Sequence, residues 1–302
     1  MRLRNRVLLA VIVTVTLLAG CSRKPTETGV FIDPQFASLV PPDTTLLVGL
    51  RVENLVKTPV YQKYLSGGKI PIIEKFARGT GINPDKSLWN VLFVSNGKQS
   101  FVLGRGKFAD ELMAPDFSTR EVRRFGYQGM IMFGDEQQAM LMINSSTIAL
   151  GETPILRALV DQRASFTGLP ARLSALSKEV PRETQFWGVY RGGPVDLPLT
   201  GNLANVKKVL GLVDSGTFYF DLSQGVAGTL TGVAANAQDA QQIHDGLEGF
   251  LGLGRMMAPK SQPELVRVLD GIHVVADGQR VSVKIAEPEE LAGTLVGLWL
   301  KQ

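Results

Sequence analysis

Histidine and cysteine are almost missing from this chain. Its 302 residues include two histidines, His244 and His273, and one cysteine, Cys21. A disulfide within the chain is therefore excluded. Tight protein zinc sites take three or more N, S or carboxylate ligands, so metal-dependent hydrolysis has little to draw on here. Also missing are Gly-x-Ser-x-Gly, His-Glu-x-x-His, a cysteine pair and a Walker loop. Those are the local marks of acyl transfer, zinc proteolysis and nucleotide hydrolysis. Paired carboxylates of the glycosidase kind leave no local mark, so dispersed acids stay open as a chemistry.

An excess of charge of one sign is the next absence. The formal charge of +4 looks basic, but Arg2, Arg4 and Arg6 all lie in the first twenty residues, which contain no Asp or Glu. Without those three, the 32 Lys and Arg fall to 29, against 28 Asp and Glu. The remaining body is nearly neutral and carries no electrostatic footprint for nucleic acid. The run Arg120, Arg123, Arg124 is broken by Glu121 and Val122 and reads as a solvated strand face.

What the chain does have begins at its start. Three arginines precede an apolar run from Val7 to Leu18, interrupted only by Thr14 and Thr16. Leu18-Ala19-Gly20-Cys21 follows, with small residues directly before the only cysteine. A basic head, a short apolar run and small residues mark an export signal, and the run is short for a membrane span of about 20 residues. The segment resembles the lipobox signal of bacterial lipoproteins. That resemblance implies a diacylglyceryl group on the Cys21 sulfur, cleavage before Cys21 and a membrane held through the lipid, with palmitate-type acylation of the new amino group. Ser22 after the cysteine is, in the enteric sorting rule, permissive for the outer membrane, facing the periplasm. Three other readings remain: a retained membrane helix, a secretory signal cut after Ala19-Gly20, and a cytosolic protein without lipid.

The expected organisation is a signal peptide over 1–20, a lipidated cysteine and flexible tether over 21–43, an N-terminal half over 44–182 and a C-terminal half over 183–302. The tether reading rests on Pro25, Pro34, Pro41 and Pro42. The fold class is α+β: duplicated hairpin-plus-helix units forming antiparallel sheets with helices packed on one face. Asn96-Gly97 and Asp277-Gly278 between apolar runs are strong hairpin signals. Hairpin followed by helix recurs at 88–113, 138–163, 217–251 and 272–300. Each half opens on an apolar strand, at 45–52 and 185–190, a rhythm that reads as an internal repeat. Asn236 is the natural N-cap of a helix over 237–251, and a helix is expected over 55–65, limited by Pro59.

Several patterns look chemical and have plainer readings. Gly104-Arg105-Gly106-Lys107-Phe108-Ala109 fits the dinucleotide fingerprint but reads as a glycine-rich strand-to-helix turn. Ser66-Gly67-Gly68-Lys69 and Ser95-Asn96-Gly97-Lys98 match Ser-x-x-Lys with no Lys-Thr-Gly downstream. His244 has Asp245 beside it and Glu248 one helical turn on, which reads as a surface ion pair. The pairs Asp110-Glu111, Asp135-Glu136 and Glu289-Glu290 sit at turns or helix starts, where acids match the helix dipole. Trp89, Trp187 and Trp299 mark element ends. Met130 with Met132, and Met140 with Met142, each share one face of a strand, reading as core before ligand surface.

No catalytic residue, cofactor or metal ligand is assigned. The expected function is a lipid-anchored cell-envelope lipoprotein that binds or scaffolds, with the membrane reached through Cys21 and an envelope protein as partner. The alternatives are a periplasmic carrier or sensor of an apolar small molecule, and a hydrolase with dispersed carboxylates.

Overall fold

A meander of antiparallel strands needs a chain reversal every few residues, and the hairpin tips supply it. The computed structural model describes residues 29–66, 84–108, 123–192 and 211–300. Its elements run α1 (Pro34–Ala37), β1 (Leu46–Arg51), α2 (Val52–Leu55), a π-helical turn (Tyr61–Leu65), α3 (Pro84–Ser87), β2 (Leu88–Ser95), β3 (Ser100–Gly106), β4 (Arg123–Tyr127), β5 (Met130–Gly134), β6 (Gln138–Asn144) and β7 (Thr147–Glu152). They continue with α4 (Thr153–Gln162), α5 (Ala171–Ser177), β8 (Phe186–Arg191), β9 (Val213–Asp221), β10 (Val226–Ala234), α6 (Ala237–Met257), α7 (Pro263–Asp270), β11 (Ile272–Asp277), β12 (Arg280–Glu287) and α8 (Glu289–Leu300). Between β2 and β3, Asn96 Oδ1 accepts from the N–H groups of Lys98 and Gln99. Between β4 and β5, Gln128 and Gly129 both take positive φ, 47° and 78°, the twist that matches a right-handed hairpin.

Among the described residues, all twelve strands join one antiparallel sheet in the order β11-β12-β10-β9-β8-β1-β2-β3-β7-β6-β5-β4. The class is α+β, as the hairpin-and-helix rhythm implies. The sheet is continuous: β1 pairs β8 with Leu47 opposite Val189 and Gly49 opposite Trp187. Outward from that seam, one side runs β1, β2, β3, then the β7–β6 hairpin. The other runs β8, β9, β10, then the β12–β11 hairpin. The β5–β4 hairpin extends the first side alone.

The longer helices of each half cover one face, and the two halves use opposite faces. Leu47, Leu92, Leu103, Ala149, Leu141 and Met132 follow one another across the registers and share a core with Leu156 and Leu159 of α4 and Leu173 and Leu176 of α5. Carried across β8, β9 and β10, that face becomes Thr217, Thr231 and Ser282. The opposite face bears Val274 and Val281, which α6 covers with Ala240, Ile243 and Leu251. Val226 is covered by Ala292 of α8 and by Val60. Alternation along each strand therefore assigns apolar residues to different sides in the two halves.

Three expectations change. The segment read as tether is structured from Gly29 onward: Val30, Phe36, Leu39 and Val40 are buried in the core beneath α5, and the Val30 N–H donates to the Ser177 carbonyl. Pro34, read as a tether residue, sits in the first turn of α1, where its missing N–H costs nothing. Gly104 and Gly106 lie inside β3 rather than in a strand-to-helix turn. The helix expected over 55–65 divides into α2 and the π-helical turn on either side of Pro59, because proline removes a donor and clashes with the preceding turn.

Candidate functional site

The lipidation residues Leu18, Ala19, Gly20 and Cys21 lie outside the described residues, as do Asp110, Glu111 and Met113. Within the described residues, the feature that departs most from an ordinary folded surface is the C-terminal half of α6. Asn236 caps this helix as expected, its Oδ1 accepting from the Asp239 N–H at 2.8 Å. The helix then runs six residues beyond the expected end at 251, to Met257. Its inner face is Ala240, Ile243, Leu247 and Leu251 at helical spacing, packed on β11 and β12. From Phe250 on, the apolar residues other than Leu251 leave that face. Phe250 is 44% exposed, Leu253 57%, Met256 83% and Met257 76%. Phe250, Leu253 and Met257 form one outward stripe at i, i+3 and i+7. Gly249 and Gly252 sit beside it with open space above them. Arg255 ties the base of this segment to α7, donating to Asp270 at 3.0 Å and to the Leu269 carbonyl at 2.8 Å. A contiguous exposed apolar stripe is a mark of an interaction surface.

The chemical-looking patterns resolve into structure. Arg105, inside the glycine pattern, forms an ion pair with Asp33 at 3.0 Å and donates to Thr147. Ser95-Asn96-Gly97-Lys98 is the β2–β3 turn. His244 meets Asp245 at 3.0 Å. The hydrogen bond from His244, with that from Gln241, holds the Asp245 carboxyl below its ordinary range. Asp135 closes the β5–β6 turn by accepting from the Gln137 and Gln138 N–H groups, which lowers its pKa. Glu136 pairs with Arg157. The guanidinium of Arg157 also lies over the rings of Phe125 and Tyr127. Trp187 is buried at the seam, while Trp89 is half-exposed under Arg105. Met132 is buried on one face of the sheet and Met140 on the other, each in a packed core. The methionine strands line no shared groove.

One cavity of about 100 Å³ opens between Asp43, Thr44, Asn96 and Gln99 on one side and Leu159, Gln162 and Phe166 on the other. It has room for a few water molecules and falls below the 300–1,000 Å³ typical of ligand pockets. Among the described residues, four buried side-chain polar atoms lack hydrogen-bond partners: Arg51 Nε, Arg157 Nε, the Tyr190 hydroxyl and Glu287 Oε1. Burial, with Asp214 nearby, pushes the Tyr190 pKa up. Burial also pushes Glu287 up, partly offset by the Arg267 charge. Tyr190 and Glu287 sit on separate elements and do not form a reacting pair. Among the described residues no three of His, Cys, Asp and Glu gather as a metal-binding group, and no helix is long and apolar enough to cross a membrane. The hairpin turns and the α6 cap were visible in sequence. The outward stripe was not, because the hydrophobic periodicity of α6 continues without a break past the residue where its packing ends.

No protein-family model and no curated protein matches the sequence. Among solved structures, the chain is similar to crystal form III of TP0453, with a TM-score of 0.50 at 14% identity over 88% of this chain and 99% of that one. Crystal form I of the same protein gives 0.49 at 13% identity over 89% and 98%. At such identity the likeness is one of fold.

Proposed function

We propose that this protein is a lipid-anchored lipoprotein of the cell envelope that acts as a non-catalytic binding or scaffolding module, with the outward stripe of α6 as its contact surface for an envelope protein. The observation that carries the reading is the exposure of Phe250, Leu253, Met256 and Met257 on an otherwise well-packed helix. The Leu18-Ala19-Gly20-Cys21 pattern supports the anchor.

The anchor would stand close to the body. The described residues begin at Gly29, eight peptide steps from Cys21, an upper reach of about 29 Å. Two or three acyl chains at about 0.8 kcal/mol per buried methylene would hold the chain essentially permanently. The stripe then meets partners within the same narrow layer of the envelope.

The test pairs two measurements on protein in its native membrane. Intact mass and membrane fractionation compare the native chain with Cys21→Ser. A lipid-sized increment on a chain starting at Cys21, lost together with membrane attachment in the variant, supports the anchor. A chain retaining Met1 in the cytosol overturns it. A photo-crosslinker at position 253 should capture a discrete protein, and Met257→Asp should abolish that capture. A crosslinker at 253 that yields nothing above one placed at the solvated position 241 removes the contact surface.

A further inference from the structure

The sheet ends on an edge whose side chains complement themselves. β11 pairs only with β12 among the described residues, over six residues without a bulge and without proline. Natural edge strands are usually blunted by such devices or by charge. The other terminal strand, β4, opens on Arg123 and Arg124, both exposed.

The ladder fixes which backbone groups of β11 are free. The Ala286 N–H donates to the Gly271 carbonyl, so peptide groups at odd-numbered positions of this register face β12. Those of Ile272, Val274 and Ala276 face outward, since bonding direction alternates along an antiparallel strand. Among the described residues they take no other backbone partner. The side chains alternate as well. His273, Val275 and Asp277 share the exposed face, with Val275 half-exposed, and Val274 is buried on the α6 side.

We propose that β11 is a self-pairing edge, through which two copies of this chain join antiparallel about a twofold axis at Val275. In that register Val274 faces Ala276 of the second copy. Both have outward peptide groups, so each of these two positions exchanges a pair of N–H···O bonds. Val275 faces Val275 as an apolar cross-strand pair. His273 faces Asp277 twice, in non-hydrogen-bonded positions where side chains approach most closely. Shifting the centre by one residue sets His273 or Asp277 against Val275 and loses both polar pairs, so the side chains select the register. The contact is isologous and its occupant is a second copy, because the complementarity of His273 and Asp277 requires this strand twice. The axis lies normal to the sheet. Gly29 of both copies therefore remains on the same face, although the pairing does not depend on the lipid anchor.

The register makes the experiment specific. Full-length chains carrying Val275→Cys should form an intermolecular disulfide, because directly opposed positions fall within the Cα separation a disulfide requires. His273→Cys and Asp277→Cys should each remain monomeric alone and crosslink when mixed. The native chain, with only Cys21, is the background. Adding Ala276→Pro removes an outward N–H at both symmetric positions while leaving the β12 ladder intact. It should weaken the Val275→Cys crosslink by about tenfold or more, with circular dichroism confirming the fold. Equal crosslinking of all three single variants, self-crosslinking at 273 or 277, or no crosslink at 275 overturns the proposal.

Discussion

The Trp187 indole packs against Gly49, the residue paired with it over the seam between β1 and β8. The space a Cβ would occupy at Gly49 is filled by the indole ring, and Trp187 itself is buried. Glycine at 49 thus lets the largest side chain of the seam close the core where the two halves of the sheet meet.

Gly49→Ala should push the indole out of its rotamer and cost about 1–3 kcal/mol, the usual effect of overpacking. Trp187→Ala leaves a void and should cost about 3–5 kcal/mol. Urea unfolding followed by circular dichroism checks both. If Gly49→Ala unfolds at the native midpoint, the indole is not held against that backbone.

Asp33 joins the first structured segment to the sheet. Its Oδ1 caps α1 through the Gln35 N–H at 2.8 Å, and its Oδ2 takes the Arg105 Nε at 3.0 Å. Both side chains are largely shielded, at 13% and 18% exposure. Asp33→Ala loses the cap and a charge-assisted bond together and should cost about 2–4 kcal/mol. Asp33→Asn keeps the cap and should cost less. The order of the two urea midpoints is the readout. An order reversed, or two native-like midpoints, would remove this clasp.

Much of this architecture was legible locally, and the misses share a cause. Asn96-Gly97, Asp277-Gly278 and the Asn236 cap are governed by residues within a few positions of each other, and each stands where its sequence placed it. The strand Val226–Ala234 lies within the hairpin-and-helix unit expected over 217–251. What local pattern does not carry is the pairing of Leu47 with Val189 across 142 positions, or the reversal of the buried face beyond it. Proline misled at Pro34, where a helix start and a tether look alike in composition. The burial of Val30 to Val40 depends on α5, which lies far along the chain. The outward turn of Phe250 and Leu253 was hidden for the same reason: whether an apolar helix face is covered depends on where its neighbour stops. The lipobox residues lie outside the described part and rest on sequence pattern alone.

The α6 stripe sits on a weakened helix. Gly249 and Gly252 lie in its interior, and a methyl group at either would enter open space. Each Gly→Ala change should stabilise the protein by about 0.5–1 kcal/mol, through lower unfolded-state entropy and better helix propensity. Thermal melts of the single and double variants test this. A loss of stability at either position would mean that the glycine meets a neighbour there.

Glu287 makes stability depend on pH in the unusual direction for a carboxylate. It is 5% exposed at the end of β12, against the backbone of Gly271, and its Oε1 accepts no hydrogen bond. Burial raises its pKa above the ordinary 4.5, and the Arg267 charge offsets only part of the rise. A carboxyl whose folded pKa lies above its unfolded value binds its proton more tightly in the folded state. Its contribution is therefore full below the unfolded pKa and is lost as pH rises through the folded one. Once deprotonated, the Glu287 carboxylate is a buried, underpaired charge in the folded protein. Glu287→Gln removes that charge while keeping the shape, so the variant should be more stable than the native chain at pH 7, with the difference shrinking toward pH 4. Urea midpoints of the two proteins across that range decide it. Parallel pH profiles would mean the carboxylate is solvated, and a variant less stable at pH 7 would mean that the Arg267 charge outweighs burial.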